Sequence, residues 1–307
     1  MSKEENEKLI LLEIHRMAIH NGPGIRTTVH FKGCPLRCVW CSTPESQKTA
    51  IQLGSRPENC IGCGTCFSVC KHGAIETDET GRAVVNRQKC SECMECTNLC
   101  YSNALTPIGN YVTAEELYRE IIKDRILYSK SNGGVTFSGG EPLMNVNDEY
   151  LRLLKMLKEE DISIGFDTCG YVPFDNLKNV LDYADFFLWD LKQMNPEVHK
   201  KIAGVDNALI LSNLQYAAKH KKIYIRYPLI TGYTDDVNNR RLIADFMLTL
   251  NPVPELHIMP MHHMGASRYE HLGQEDAIGE LPLQEEDYLH KVKSYFEQRG
   301  IAAKIVG

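Results

Sequence analysis

Eleven of the twelve cysteines in this 307-residue chain fall into three groups whose spacing suits iron–sulfur chemistry. Cys34, Cys38 and Cys41 form a group of three, spaced Cys-x3-Cys-x2-Cys. Cys60, Cys63, Cys66 and Cys70 form a run of four, and Cys90, Cys93, Cys96 and Cys100 a second, each with two, two and three intervening residues. That run is the ligand pattern of bacterial 4Fe–4S clusters, and its repetition 30 residues on marks a pair of electron carriers. The group of three supplies one thiolate too few for a 4Fe–4S cube. One iron stays open to a small molecule, so the chemistry is expected there. The bland alternatives are a structural zinc ion in each quartet and, in the group of three, a disulfide with a spare thiol. Duplication of the full spacing argues against zinc, and the density of cysteine in a chain suited to a reducing compartment argues against disulfides. In paired runs the fourth cysteine ligates the other cube. One cluster is therefore expected on Cys60, Cys63, Cys66 and Cys100, and the other on Cys90, Cys93, Cys96 and Cys70. Three cubes amount to about twelve irons per chain. Lys71 and Tyr101 follow the two quartets where the run normally has proline, which alters a turn but no ligand.

These groups need a scaffold. Residues 51–107 have little helical periodicity and are rich in Gly, Asn, Thr and Cys. Ala74-Ile75-Glu76 and Ala104-Leu105-Thr106 read as matching short strands behind the quartets, an internal repeat of about 30 residues. Iron–thiolate bonds would replace the core that so small a unit lacks. Elsewhere strands and helices alternate. Thr27–Phe31, Gly134–Ser138, Ile162–Phe166, Phe186–Trp189, Ile223–Pro228 and Glu255–Pro260 read as strands. Helices are expected from a capping box at Thr113–Glu116 to Tyr128, and over Asp148–Glu160, Leu177–Tyr183, Asp236–Leu250 and Glu285–Gln298. Such alternation implies right-handed βαβ units and a parallel sheet. In a parallel β/α barrel the C-terminal strand ends share one rim, where sites form. Ser138-Gly139-Gly140-Glu141-Pro142, Asp167-Thr168-Cys169-Gly170, Asp190-Leu191-Lys192, Arg226 and His262 all stand at or just after such ends, as does the cysteine triad. Singly each could be a turn, a helix cap or a surface charge. Five in register with the open triad are hard to obtain by accident.

Bulk properties narrow the class. With 43 % hydrophobic residues, a net charge of −6 and a pI near 6.0, the chain suits a globular protein with a sizeable core and no basic excess for nucleic acid. It has no apolar run of membrane-spanning length, and Met1–Lys8 lacks the apolar core of a signal peptide. Free thiolates at this density point to the cytoplasm and to an anaerobic or oxygen-protected setting.

With these residues in view, the chain resembles the radical S-adenosylmethionine (SAM) family, whose Cys-x3-Cys-x2-aromatic-Cys stands here as Cys34-Pro35-Leu36-Arg37-Cys38-Val39-Trp40-Cys41. More narrowly it resembles the glycyl radical enzyme activating enzymes, of which pyruvate formate-lyase activase is the familiar member. The matching pieces are Asn21-Gly22-Pro23-Gly24-Ile25-Arg26, Gly140-Glu141-Pro142, Asp167-Thr168-Cys169-Gly170, Asp190-Leu191-Lys192-Gln193, Arg226 followed by Asp235-Asp236, and Pro260-Met261-His262. The likeness covers nearly the whole chain, and the quartet-bearing segment resembles the subgroup with auxiliary clusters. Where the family usually has Asp, this chain has Asn21.

The resemblance implies an α/β fold: a partial (β/α)6 radical SAM barrel over residues 1–50 and 108–307, with a bacterial-ferredoxin-like domain inserted at 51–107. It implies three 4Fe–4S clusters, SAM, and a monovalent cation beside SAM on Asp167 and Asp190. Gly139, Gly140 and Glu141 would grip the methionyl ammonium, with Arg226 and Lys192 toward the carboxylate, Trp40 at the adenine and His262 at the nucleoside. Trp40 and His262 could instead be core residues, and the aspartates helix caps. Electron transfer to SAM would release methionine and a 5′-deoxyadenosyl radical, which takes hydrogen from a glycine in the C-terminal loop of a partner glycyl radical enzyme. Asn21–Arg26 and Thr231–Asp236 are the candidates for touching that loop. Flavodoxin or ferredoxin would donate the electron to a monomeric enzyme, with the quartets either relaying it to the triad or helping to dock the partner. The rivals are a radical SAM enzyme acting on a small molecule, a ferredoxin-type electron carrier and a zinc protein.

Overall fold

Each segment read as a strand folds as one, and additional strands flank them. In the computed structural model, which describes residues 8–306, the strands are β1 (Leu9–Ala18), β2 (Arg26–Phe31), β3 (Gln52–Ser55), β4 (Ile75–Thr77), β5 (Ala83–Val85), β6 (Leu105–Ile108), β7 (Asn110–Val112), β8 (Gly134–Gly139), β9 (Ser163–Thr168), β10 (Phe186–Asp190), β11 (Lys222–Leu229), β12 (Glu255–Pro260) and β13 (Ala303–Ile305). Nine of them form one open sheet in the order β13-β12-β11-β10-β9-β8-β2-β1-β7. From β2 to β13 all neighbours are parallel. β1 runs antiparallel to both β2 and β7. The sheet is mixed but mostly parallel, and one face of its parallel strands is apolar, with Val135, Phe137, Ile164, Phe166, Phe187, Trp189, Ile225 and Ile258 fully buried, whereas Thr136, Ser138, Asp167, Asp190, Arg226 and His257 stand on the other.

Helices cover the sheet. Asp148–Glu159 buries Tyr150, Leu153, Leu154 and Leu157, with Leu151 only partly covered. The capping box at Thr113 forms as read: Thr113 N donates to Glu116 Oε2 at 2.8 Å, and Glu116 N donates to Thr113 Oγ1 at 3.2 Å. The helix that it opens stops at Ile121 and restarts as Arg125–Ser131. Side chains take up carbonyls at the break: Tyr128 Oη donates to Ile121 O at 2.9 Å and Arg16 Nη2 to Glu120 O at 3.1 Å.

The cysteine quartets lie between β3 and β6. These two strands pair antiparallel, as do β4 and β5 between them. Each half is thus strand, cysteine run, strand. The halves share a small core of Leu53, Ile75, Ala83, Val85, Cys96 and Leu105, against which other cysteines of both runs pack. The chain turns at Gly109 (φ 92°) and rejoins the main sheet as β7.

Candidate active site

The triad follows β2. Gly33, at φ 98°, turns the chain, and backbone bonds then fix the loop from two sides. Gly33 N donates to Ser46 O at 2.7 Å and Cys34 N to Gln47 O at 3.1 Å. Arg37 N and Val39 N donate to Ala203 O and Ile202 O, at 2.7 and 3.1 Å, at the end of the helix Pro196–Ala203. Cys34 and Cys38 pack on an apolar cluster that contains Leu36, Trp40, Cys169, Ile202 and Met261. The Trp40 ring lies in that cluster, 6.0 Å from the ring of Tyr233. Burial pushes the Cys38 thiol up to about 12 and raises that of Cys41. Left alone, such thiols keep their protons at neutral pH. A metal that takes the proton's place removes the cost, and three soft donors with no carboxylate among them fit an iron–sulfur cluster.

The end of β8 is built onto this loop. Gly140 N donates to Phe31 O at 2.9 Å and Glu141 N to Gly33 O at 2.8 Å. A Cβ on Gly139 would lie 2.3 Å from Phe31 N, and one on Gly140 2.4 Å from Gly33 O. The two glycines are therefore required by the approach of β8 to the triad loop, a reason that precedes any ligand. Glu141 is buried, and its carboxylate points inward. Oε1 accepts from Thr168 Oγ1 at 2.8 Å and from Leu143 N at 3.0 Å, and Oε2 accepts from Cys169 N at 2.7 Å. Burial nonetheless raises this carboxyl above its ordinary range. The Gly-Gly-Glu and Asp-Thr-Cys-Gly segments are thus locked together through Glu141. Asn213 Nδ2 secures the second by donating to Gly170 O and Val172 O at 2.9 and 3.0 Å.

A polar row crosses the neighbouring strands. Asp167 Oδ2 accepts from Ser138 Oγ at 2.8 Å and pairs with Arg226 Nη1 at 2.8 Å, and Arg226 Nε donates to Met259 Sδ at 2.9 Å. Lys192 Nζ pairs with Asp190 Oδ2 at 2.5 Å, and this partner raises the ammonium's pKa against the effect of burial. Both aspartates expected to hold a cation are engaged by basic side chains. Among the described residues no three or more His, Cys, Asp or Glu side chains close on a single ion. His262 is half-buried, which lowers its pKa, and its Nδ1 accepts from Met264 N at 3.4 Å. The neighbouring His263 has a buried Nδ1 without a partner.

In the insert, Cys60, Cys63, Cys66 and Cys100 line one cavity, and Cys70, Cys90, Cys93 and Cys96 line another. The fourth thiol of each run sits with the three of the other. The two candidate partner loops are not brought together. Asn21–Arg26 leads into β2, at the end of the sheet opposite the triad, whereas Thr231–Asp236 follows β11 on the triad side. Arg26, wholly buried, pins its turn by donating to Val135 O at 2.6 Å, Thr136 Oγ1 at 2.7 Å and Ser163 O at 2.9 Å. Asn21 Nδ2 donates to Thr28 Oγ1 at 2.8 Å.

Sequence reasoning missed Met259 and the short helix Ala266–Leu272. The helix has a legible signal, since glycines bracket it at Gly265 and Gly273. Met259 has none, because it acts only through its register beside β11.

Residues 28–239 match the Radical SAM superfamily. The trans-4-hydroxy-L-proline dehydratase activating enzyme of Clostridioides difficile is 36 % identical over 301 residues, covering 97 % of this chain and 99 % of that one. The isethionate sulfite-lyase activating enzyme of Desulfovibrio desulfuricans is 34 % identical over 290 residues, 92 % of each chain. Among solved structures, a radical SAM methyltransferase from Sphaerobacter thermophilus aligns with a TM-score of 0.54 at 13 % identity, over 91 % of this chain and 66 % of that one, a likeness of fold alone. With the open thiol triad, the segments bonded to it and whole-length relatives of this kind, the chain belongs to the radical SAM superfamily, among its glycyl radical enzyme activating enzymes.

Proposed function

We propose that the Cys34–Cys38–Cys41 centre uses SAM to place a radical on a backbone glycine in the C-terminal loop of a separate glycyl radical enzyme. The observation that carries this reading is the partly buried set of three thiols on a loop to which the Gly-Gly-Glu segment is hydrogen-bonded through Gly33. Held by those thiolates, a 4Fe–4S cluster supplies the electron that divides SAM into methionine and a 5′-deoxyadenosyl radical. The chain's own residues bind and orient. Gly139 and Gly140 present backbone to the methionyl ammonium, and Glu141 holds that segment against Thr168 and Cys169. Arg226 and Lys192 turn from Asp167 and Asp190 to the SAM carboxylate, which frees the two aspartates for a monovalent cation that takes oxygen ligands. Trp40 offers backbone to the adenine while its ring stays in the core, and His262 meets the nucleoside.

Residues 51–107 form a ferredoxin-like domain with two further 4Fe–4S clusters on crossed cysteine sets, and residues 1–50 and 108–307 form the partial barrel. The lining of the two cavities supports the crossing. Held by these cysteines, the clusters would carry electrons from a flavodoxin or ferredoxin to the triad. The enzyme works as a monomer in the cytoplasm, where thiolates stay reduced. The names of the relatives support a lyase or dehydratase as the partner. The partner's loop enters at the end of the sheet away from the triad, where Gly22, Pro23, Tyr224, His257 and Lys304 line an open cavity.

The test mixes the reduced enzyme, SAM and such a partner without oxygen, with deuterium on the partner's glycine. A glycyl doublet in electron paramagnetic resonance and deuterium in 5′-deoxyadenosine are expected, and both vanish in Cys34→Ala. Deuterium that stays on the glycine while a metabolite changes would establish the small-molecule rival.

A further inference from the structure

We propose that the helix Ala266–Leu272 is a bracket fixing the cysteine-rich insert to the catalytic triad, with His271 as the positioning residue that seats on Gly54 of the insert. The proposal rests on the relay role given to the insert above.

The helix touches both bodies. At its start Gly265 lies on the triad loop: a Cβ there would be 3.2 Å from Ser42 Cα and 3.3 Å from the Cys41 carbonyl oxygen. Arg268 Nη2 donates to Glu13 Oε1 of β1 at 2.6 Å, and Nη1 donates to Glu45 Oε1 in the turn after the triad. At its far end the His271 ring covers Gly54 of β3 so closely that a Cβ at residue 54 would lie 2.1 Å from Nε2. Nε2 is also 3.3 Å from Thr106 Oγ1 of β6. Arg87 closes the contact from the insert, donating Nη2 to His271 O at 3.1 Å and Nη1 to Leu53 O. Leu53 in turn lines the cavity of Cys70, Cys90, Cys93 and Cys96. From Gly265 to His271 a helix rises about 9 Å. One rigid turn-and-a-half of backbone therefore joins the loop that carries the open triad to the small sheet that carries the quartets. Burial, helped by the charges of Arg56 and Arg87, pushes the His271 pKa down to about 4, which suits a neutral ring whose Nε2 edge meets a glycine.

The step served is the passage of one electron from the insert, reduced by a flavodoxin-type donor, to the triad. No bond forms and no proton moves. The bracket contributes a fixed separation, which a small reductant acting directly at the triad does not need.

The contact can be broken in two ways. Gly54→Ala drives a methyl group into the imidazole, and His271→Ala removes the ring that it meets. In Gly54→Ala, SAM cleavage driven by reduced flavodoxin is expected to fall about tenfold, as a small misplacement can cost, while cleavage driven by dithionite keeps the wild-type rate. His271→Ala alone removes the seat without a clash and is expected to lower the flavodoxin-driven rate in the same way, and the Gly54→Ala/His271→Ala double variant, which relieves the clash but lacks the seat, does not recover it. Amide hydrogen exchange in β3 and β6, read on the protein without SAM or donor, rises in Gly54→Ala and stays raised in the double variant. Equal loss with both reductants, or faster exchange with an unchanged flavodoxin-driven rate, overturns the bracket and leaves the helix a structural staple. A Cys93→Ala variant separates the two readings. If it keeps the flavodoxin-driven rate, the relay itself fails; if it loses that rate while Gly54→Ala does not, only the bracket fails.

Discussion

At the scale of single residues, the triad end of the sheet is governed by what cannot be added and what cannot be protonated. Gly140 has no space for a methyl group, since its Cβ would meet the Gly33 carbonyl oxygen at 2.4 Å. Both atoms are backbone, so neither can swing aside. Gly140→Ala should cost about 1–3 kcal/mol, the range for forced overpacking. Because the displaced carbonyl belongs to the triad loop, SAM cleavage should fall along with the urea midpoint; an unchanged midpoint would contradict the geometry. His30 illustrates the second constraint. It packs 4.6 Å from the ring of His15, both of its nitrogens are buried without partners, and burial pushes its pKa down to about 4 from an ordinary 6.5. Its neutral form is compatible with the fold and its charged form is not. Above 6.5 neither state takes the proton. Below 6.5 the unfolded chain takes it and the folded chain refuses, so stability is lost as pH falls from 6.5 toward 4. Between pH 7.5 and 5.5 this residue should remove about 1 kcal/mol. His257 and His271, also pushed down to about 4, act in the same window, so His30→Gln should lessen the slope of the pH profile in chemical unfolding by its own share, and a slope unaltered by the substitution would show that the other histidines are responsible.

At the scale of elements, the pairing of strands around the cysteine runs predicts how ligands are shared. β3 precedes the first run and pairs with β6, which follows the second; β4 and β5 lie between them and pair with each other. The arrangement folds the end of each run toward the start of the other. With about twelve irons in the intact enzyme, Cys63→Ala/Cys100→Ala should damage one cluster and lose about four irons, while Cys63→Ala/Cys70→Ala should damage two and lose about eight. The opposite ranking would mean that each run closes on itself. The crossing is an expectation from the ligand pattern of paired runs, and the parallel strands are legible from short β-branched and aromatic runs bounded by turn residues. β1 is not legible. Its Leu9–Leu12 run lacks alternation, since β2 and β7 flank it and its pairing with β2 shifts register at Leu11/Glu13 and again at His15/Ala18. β7, at three residues, is too short to carry a pattern. Within the site, residue types at strand ends identify Asp167, Asp190, Lys192 and Arg226, but the partners of each depend on register across strands distant in sequence. The aspartate–arginine and aspartate–lysine pairs, and the inward turn of Glu141, are therefore visible only in the fold.

At the scale of the whole molecule, the end of the sheet opposite the triad is the entrance we propose for the partner protein. On the triad side a cavity lies beside the ends of β2 and β8, lined by Phe31, Lys32, Thr49 and Glu141, but the end of β11 is packed. Thr231–Asp236 packs there through Tyr233 against Trp40, and Tyr288 Oη donates to Asp235 Oδ1 at 2.6 Å. The opposite end is open between the turn before β2 and the edge made by β12 and β13. There Glu255 and Lys304, paired at 2.8 Å, face Gly22 and Pro23 across a cavity, with Met17 and Ile19 exposed nearby at 66 % and 64 %. Exposed apolar side chains beside a concave, mixed-charge lining are the features of a surface that meets another protein. A glycine loop entering from this end would run up the polar interior toward Asp167 and Arg226. Ile19→Glu should then weaken installation of the glycyl radical by raising the KM for the partner, because a charge is placed in the path of an apolar contact, and it should leave the slow uncoupled cleavage of SAM unchanged. Thr231→Glu, at the packed end of β11, should alter neither. Hydrogen exchange with a synthetic peptide of the partner's glycine loop provides the independent check. Protection should appear at residues 19–24 and 304–306 and be absent at 231–236, and the reverse pattern would place the entrance on the triad side.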